Sequence, residues 1–418
     1  MSWVRQLIEG TEMKVLDGRP HACPQPVWAQ ALSGRSWCEL GCAGYAAPRA
    51  SLNDVQILSE DDLRLDGAIL PGQAGGTILT INMPLLKPKP GRLWLSDGSL
   101  PMPLSVSPPE LLSDPLFARY KPRPYSSSAL ASVVTEQSVV QCMRIEQERI
   151  ACALHLIERG PWQSCFLRLS VFDLLSHMLG PDFLLAEKLS VWPDIEDFLG
   201  FLDRALIEIC TRADADLLFV LSSFSHTACE ARLNLNELLA CGGFCRLASR
   251  ETQIGPVIER RKAAIQAGAA QAVIDPLALV SPASLFDPSR TIAGSPVAGA
   301  VYLNRSDRFA EGTVAAGDLD REFQEVKEYL GRELNREFGG RLFMWSEVDA
   351  GRRCPELMIY VDGVELHDLQ GSAPIDRRNR PRSTHRAQGF ICLASGCDRW
   401  QGAVKPPDIY TVLTGALR

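Results

Sequence analysis

Apolar and polar positions alternate along this chain on two scales. Short runs rich in branched and aromatic residues, TILTINMPLL, RLWLSD, SCFLRLSVF, DLLFVLSS, AVYLNR, ELMIYVDG and GFICLAS, have the length of strands, and several are apolar on both faces, as central strands of a covered sheet are. Between them lie longer stretches whose apolar residues recur at intervals of three and four, predicting helices over about 135 to 159, 194 to 213 and 318 to 336. Alternation of this kind predicts an α/β fold, a doubly wound and mostly parallel sheet with helices on both faces. The Pro- and Ser-rich stretch 101–131 reads as a surface excursion, and 230–345 is the candidate cap or insertion within a single domain spanning 1–418. No internal repeat or low-complexity tract is visible.

The composition bounds the function classes. At 418 residues, 46% of them hydrophobic and 22% charged, the chain can bury a full core. A net charge of -7 argues against a general nucleic-acid binder, and the basic run RRNRPRSTHR (377–386) reads as a solvated loop or a local anion pocket. None of the 13 cysteines forms a CxxC pair, which suits buried free thiols in a reducing compartment. The charged first residues, MSWVRQLIEGTEMKVLDG, are not those of a signal peptide, and no apolar run reaches membrane-span length, so the expectation is a cytoplasmic protein without a membrane or nucleic-acid partner.

Ligands of an open parallel sheet gather beyond the carboxyl ends of its strands. At one such end, SVFDLLSHM, Asp173 and His177 stand four apart and share one helical face. A second run ends in FVLSSFSHT, and His385 lies in STHRAQ just before GFICLAS. One Asp and two His suit a divalent metal, zinc first, with manganese or iron as alternatives. Spacing alone leaves open an ordinary helix-surface pair for Asp173 and His177.

The order of segments resembles the alkaline phosphatase superfamily, and more closely its phosphodiesterase and phosphohydrolase branch, which includes nucleotide pyrophosphatases. CPQPVWAQALSG and SWCELGCAGY are similar to the family's TPPAWTSFATG and PxxHG segments, with Trp28 and Gly34 at the matching separation. SVFDLLSH resembles its DxxxH motif, LLFVLSSFSH its SDHG strand end, and NLNELLACGGFCRL its LNxWLxxxGLL segment. GAVYLNRSDRFAEGTV and STHRAQGFICLASG resemble GIYLNxxGRxxxGxV and GxHRPxGIFIASG. The resemblance spans nearly the whole chain and implies a two-metal phosphoryl-transfer fold in which Asp173, His177 and His385 correspond to one metal set. The second set is lost, because Ser223 and Phe224 stand where the family has Asp and His, Leu40 replaces the PxxHG histidine, and the nucleophile register falls on Pro24.

That pattern leaves a half site with an apolar wall at Phe224, suited to a substrate of lower charge. Cys23, beside the nucleophile register, is a candidate nucleophile, with a buried structural thiol as the alternative. Ser223 and His226 form a candidate donor and base pair, and Arg386 a candidate bidentate anion anchor. His21 is a weaker base candidate, while His155 and His367 read as structural. Two functions follow from different classes. One is a divergent one-metal hydrolase or transferase acting on a phosphoryl-type or related small metabolite, the other a catalytically inactive scaffold that binds a partner. The family's first strand has no counterpart before WVRQLIEG, which predicts a sheet edge covered by a second copy or a partner subunit; an upstream start would supply that strand, and the substitutions at Ser223 and Phe224 hold in either case.

Overall fold

A computed structural model describes residues 13–21, 23–63, 77–87, 92–95, 106–107, 113–117, 120, 135–185, 189–214, 218–248, 285–346, 354–367, 373–378, 382–393 and 404–416. Most of the expected surface excursion, 101–131, lies outside the described residues. The first half contains strands β1 (Met13–Asp17), β2 (Ala46–Pro48), β3 (Val55–Ile57), β4 (Ile78–Ile81), β5 (Arg92–Leu95), β6 (Val106–Ser107) and β7 (Ser164–Leu167). Its helices are α1 (Pro24–Ser33), α2 (Trp37–Leu40), α3 (Glu136–Ile157), α4 (Val171–Leu179) and α5 (Trp192–Ala213). The second half adds β8 (Phe219–Ser222), β9 (Ser225–Ala228), β10 (Ala231–Asn234), β11 (Ala293–Val297), β12 (Ala300–Leu303), β13 (Leu342–Ser346) and β14 (Leu357–Val361). It closes with β15 (Val364–His367), β16 (Ile375–Asp376), β17 (Ser383–Arg386) and β18 (Gln388–Leu393), with helices α6 (Leu235–Cys241), α7 (Leu319–Phe338) and α8 (Pro406–Ala416) among them.

The three long amphipathic helices stand where periodicity placed them, as α3, α5 and α7. α3 starts because Thr135 Oγ1 accepts from the Ser138 amide at 3.1 Å, capping the first turn. α7 buries Phe323, Val326, Leu330, Leu334 and Phe338, one per turn on one face. α1 opens on Pro24 and closes on Gly34 at φ 71, a left-handed position that favours glycine.

The sheet differs from expectation. Among the described residues the strands form several small sheets rather than one continuous parallel one, and parallel pairing is confined to β5-β4-β7 and to β10 with β15. The β5-β4-β7 core keeps helices on both faces. Leu79, Ile81, Leu93 and Leu95 pack against Cys152, Ala153 and Leu156 of α3, while Trp94 and Phe166 pack on the other side against Ala29 and Leu32 of α1. β18, the GFICLAS run, is antiparallel to both its neighbours, β1 and β8. Gly389 permits that pairing, because a Cβ there would collide with the Ser222 carbonyl oxygen.

Two further cores complete the architecture. β11-β12-β14-β13, wholly antiparallel, packs on α6 and α7 around Tyr302, Val301, Ile359 and Leu330. Helices α3, α4 and α5 pack together through Val139, Cys142, Met143, Val171, Leu175, Met178, Ile195 and Phe198, which seats the short α4 at the end of β7. No described helix is long and apolar enough to cross a membrane, and the described cysteines in the structure are free thiols.

Trp94 is fully buried between β5 and α1. Trp94→Ala is expected to cost about 3–5 kcal/mol in urea unfolding, whereas Arg144→Ala at an exposed ion pair stays within about 0.5 kcal/mol.

Candidate metal centre

Asp173 and His177 lie on α4 one turn apart, so both side chains leave the same face. That face looks onto a two-stranded antiparallel ribbon, β9 and β17, in which His226 and His385 are directly opposed. Residues opposed in this way project from the same side of a ribbon. The four side chains converge, and their ligand atoms all lie within 4.8 Å of one another.

Asp173 Oδ1 is the hub. It lies 2.9 Å from His385 Nε2, 3.1 Å from His226 Nε2 and 3.4 Å from His177 Nε2, while the His177 and His385 Nε2 atoms are 3.0 Å apart. Bonds of about 2.0–2.1 Å to a tetrahedral ion require donor spacings of about 3.3 Å. Three of these four spacings fall slightly below that value and one slightly above, and three imidazoles with one carboxylate form a donor set suited to zinc, iron or manganese. The residues therefore fit a divalent metal.

The surrounding bonds fix the orientation of the donors. His226 Nδ1 lies 3.2 Å from Ser383 Oγ, whose own proton goes to the Ser176 carbonyl on α4 at 2.8 Å. Ser383 can therefore only accept from His226, which places the imidazole proton on Nδ1 and leaves Nε2 bare toward the centre. Arg382 Nη1 donates to the Met178 carbonyl at 2.6 Å, tying the end of α4 to the same ribbon.

Electrostatics follow from this geometry. Burial alone would raise the Asp173 carboxyl, but the His385 charge and the bonds from the His177 and His385 imidazoles hold it well below the usual carboxylate range. Burial likewise works against a charged His177, yet the bond and charge of Asp173 outweigh it and raise its pKa. His226 goes the other way, lowered mainly by burial. His177 thus holds its proton to higher pH than a free imidazole does, and a cation competes with that proton for the ring nitrogen.

The residues singled out from sequence divide. Asp173, His177 and His385 meet as one set. His226, proposed there as a donor or base, stands with them as a fourth ligand-type side chain, which sequence reasoning missed; the cue was its position two residues past Phe224, and the deciding fact is its pairing opposite His385. Phe224 stacks on the His385 ring with centroids 4.0 Å apart and meets His226 edge-on at 5.6 Å, forming an apolar wall. Ser223 is buried at the end of β8 and outside the four-residue cluster.

Cys23 caps the start of α1, donating from Sγ to Gln25 Oε1 at 2.6 Å, and burial pushes its thiol up to about 11. It is not among the four residues of the cluster. Arg386 follows His385 on β17, so it projects to the opposite side, half exposed, 3.4 Å from Asp362. His21 is buried edge-on against Trp37, with its pKa lowered to about 3 by burial. His155 pairs with Asp114 at 2.9 Å, a structural role, and His367 ends β15.

No family model matches the chain, and no curated protein matches it. Solved structures do. Phosphonoacetate hydrolase from Sinorhizobium meliloti 1021, in complex with phosphonoformate, superposes with a TM-score of 0.54 at 12% identity over 100% of this chain and 90% of that one. The same enzyme with phosphonoacetate gives 0.53. The chain shares the fold of this hydrolase. Murine ectonucleotide pyrophosphatase/phosphodiesterase 5 also matches, with a TM-score of 0.49 at 13% identity over 96% of this chain and 85% of that one.

Metal affinity is expected to fall about tenfold for each unit of pH below the raised His177 pKa and to level off above it, because binding expels that proton. Chelator competition over about pH 5.5 to 8.5 measures it, and a flat profile would contradict the assignment. Ser383→Ala, which frees the His226 tautomer, is expected to weaken binding about 10–100-fold.

Proposed function

We propose that this chain is a divergent metal-dependent hydrolase or group-transfer protein with a single metal centre held by Asp173, His177, His226 and His385, acting on a phosphoryl-type or related small metabolite. The observation that carries this reading is the convergence of four ligand atoms from three separate elements, α4, β9 and β17. A bound divalent ion, zinc first, would supply Lewis acidity toward a phosphoryl oxygen and lower the pKa of water.

The chain's own residues set the conditions around it. Asp173 stays ionised through the neutral range, and the Ser383–His226 bond keeps one imidazole lone pair aimed inward. Side chains of His177 and Asp173 remain 29% and 24% exposed, so a small molecule can approach that side of the cluster. Phe224 excludes charge from the other side and favours a substrate bearing a single anionic group. With its thiol raised to about 11, Cys23 is protonated at neutral pH and suits proton donation better than attack. We place the protein in the cytoplasm and expect a small-molecule ligand, with a second copy or partner subunit covering a sheet edge.

One observation favours a second reading. Four protein donors fill a tetrahedral shell, and filled shells are typical of structural zinc, which would make the chain a scaffold held by its metal. Elemental analysis followed by a substrate panel separates the two. About one equivalent of metal, lost in Asp173→Ala, together with turnover of a phosphonate or phosphate ester that falls at least about 100-fold in the same variant, is the expected result. One equivalent of metal with no turnover across phosphonates, monoesters and diesters supports the scaffold, and absence of stoichiometric metal after supplementation overturns both.

A further inference from the structure

Helix α4 carries half of the metal centre yet lacks a cap of its own: Ser170 precedes it without a side-chain capping bond. A helix start leaves amide groups unsatisfied, and here they are met from another helix. Glu146 on α3 accepts through Oε2 from the Ser170 and Val171 amides, each at 2.9 Å, and from Ser170 Oγ at 3.3 Å. Its other oxygen takes Arg149 Nη1 at 2.7 Å, and the same nitrogen donates to Ser170 Oγ at 2.8 Å. Both side chains are 1% exposed.

This arrangement joins three effects. The carboxylate lies at the positive end of the α4 dipole. Arg149 compensates the buried charge, and loss of either partner would leave the other stranded away from water. The far end of α4 is tied to β17 through Ser383 and Arg382, so the helix is held at both ends, with Asp173 and His177 between the ties. Asp173 follows Val171 by two positions, so the position of that first amide sets where the carboxylate points.

We propose that Glu146, supported by Arg149, is a positioning residue for the metal centre: it fixes the seat of α4 and thereby the spacing of Asp173 and His177 from His226 and His385. The proposal rests on the metal-centre reading above. Neither side chain touches the cluster, and both act through the helix.

The test uses the full chain loaded with cobalt(II), comparing wild type with Glu146→Gln, with the double variant Glu146→Leu/Arg149→Met, which leaves no stranded charge, and with Leu330→Ala in the separate core under α7. Cobalt affinity from chelator competition and the visible ligand-field spectrum are read together with amide hydrogen exchange at Ser170 and Val171. Both Glu146 variants are expected to bind cobalt about 10–100-fold more weakly, with an altered spectrum, while Leu330→Ala lowers the unfolding midpoint but keeps affinity and spectrum. Unchanged affinity and spectrum in the Glu146 variants would overturn the proposal, as would an equal loss in Leu330→Ala, which would reduce the effect to general stability. If wild type takes up no cobalt, the metal-centre reading fails on its own account. Exchange at Ser170 and Val171 then decides the anchoring of α4, with faster exchange in Glu146→Gln supporting it and unchanged exchange ending it.

Discussion

Three imidazole nitrogens and one carboxylate oxygen crowd together at 2.9 to 3.4 Å around Asp173 Oδ1, and lone pairs that close repel unless positive charge lies among them. The rest of the site follows from this constraint. Without a metal, protons must supply the charge, which is why His177 is raised and Asp173 lowered. With one, the same four atoms become a coordination shell that pins α4 to the β9–β17 ribbon. Binding and the docking of α4 on the ribbon are then coupled, with the Ser383 and Arg382 bonds to α4 carbonyls holding the same two parts together.

The protein spends several buried polar groups on keeping those halves in place. Glu146 and Arg149 hold the start of α4, Ser383 couples the His226 tautomer to the Ser176 carbonyl, and Arg382 closes the end of the helix. On the opposite side Phe224 covers the His385 ring, so the ground beside the centre is apolar there. The fold shared with phosphonoacetate hydrolase therefore carries an asymmetric centre, rich in donors on one side and closed on the other.

Much of the site was legible in the sequence because its signals were local. The four-residue spacing of Asp173 and His177 and the placement of His385 before GFICLAS could both be read from the chain. His226 could not be assigned correctly, since its role depends on the antiparallel register that sets it opposite His385, a contact between residues far apart in sequence. The strand runs were found, but their directions were not, because a run apolar on both faces does not distinguish a parallel strand from a buried antiparallel one. SCFLRLSVF shows the matching ambiguity between strand and helix: β7 ends at Leu167, and Val171 already belongs to α4.

The most direct test of the account is X-ray absorption at the metal edge of the purified protein, compared with His226→Ala. The account predicts about one metal per chain bound by nitrogen and oxygen donors at about 2.0–2.1 Å, with multiple-scattering features of three imidazoles in the wild type and of two in the variant. A spectrum without imidazole scattering, or one that His226→Ala leaves unchanged, would contradict the four-residue centre.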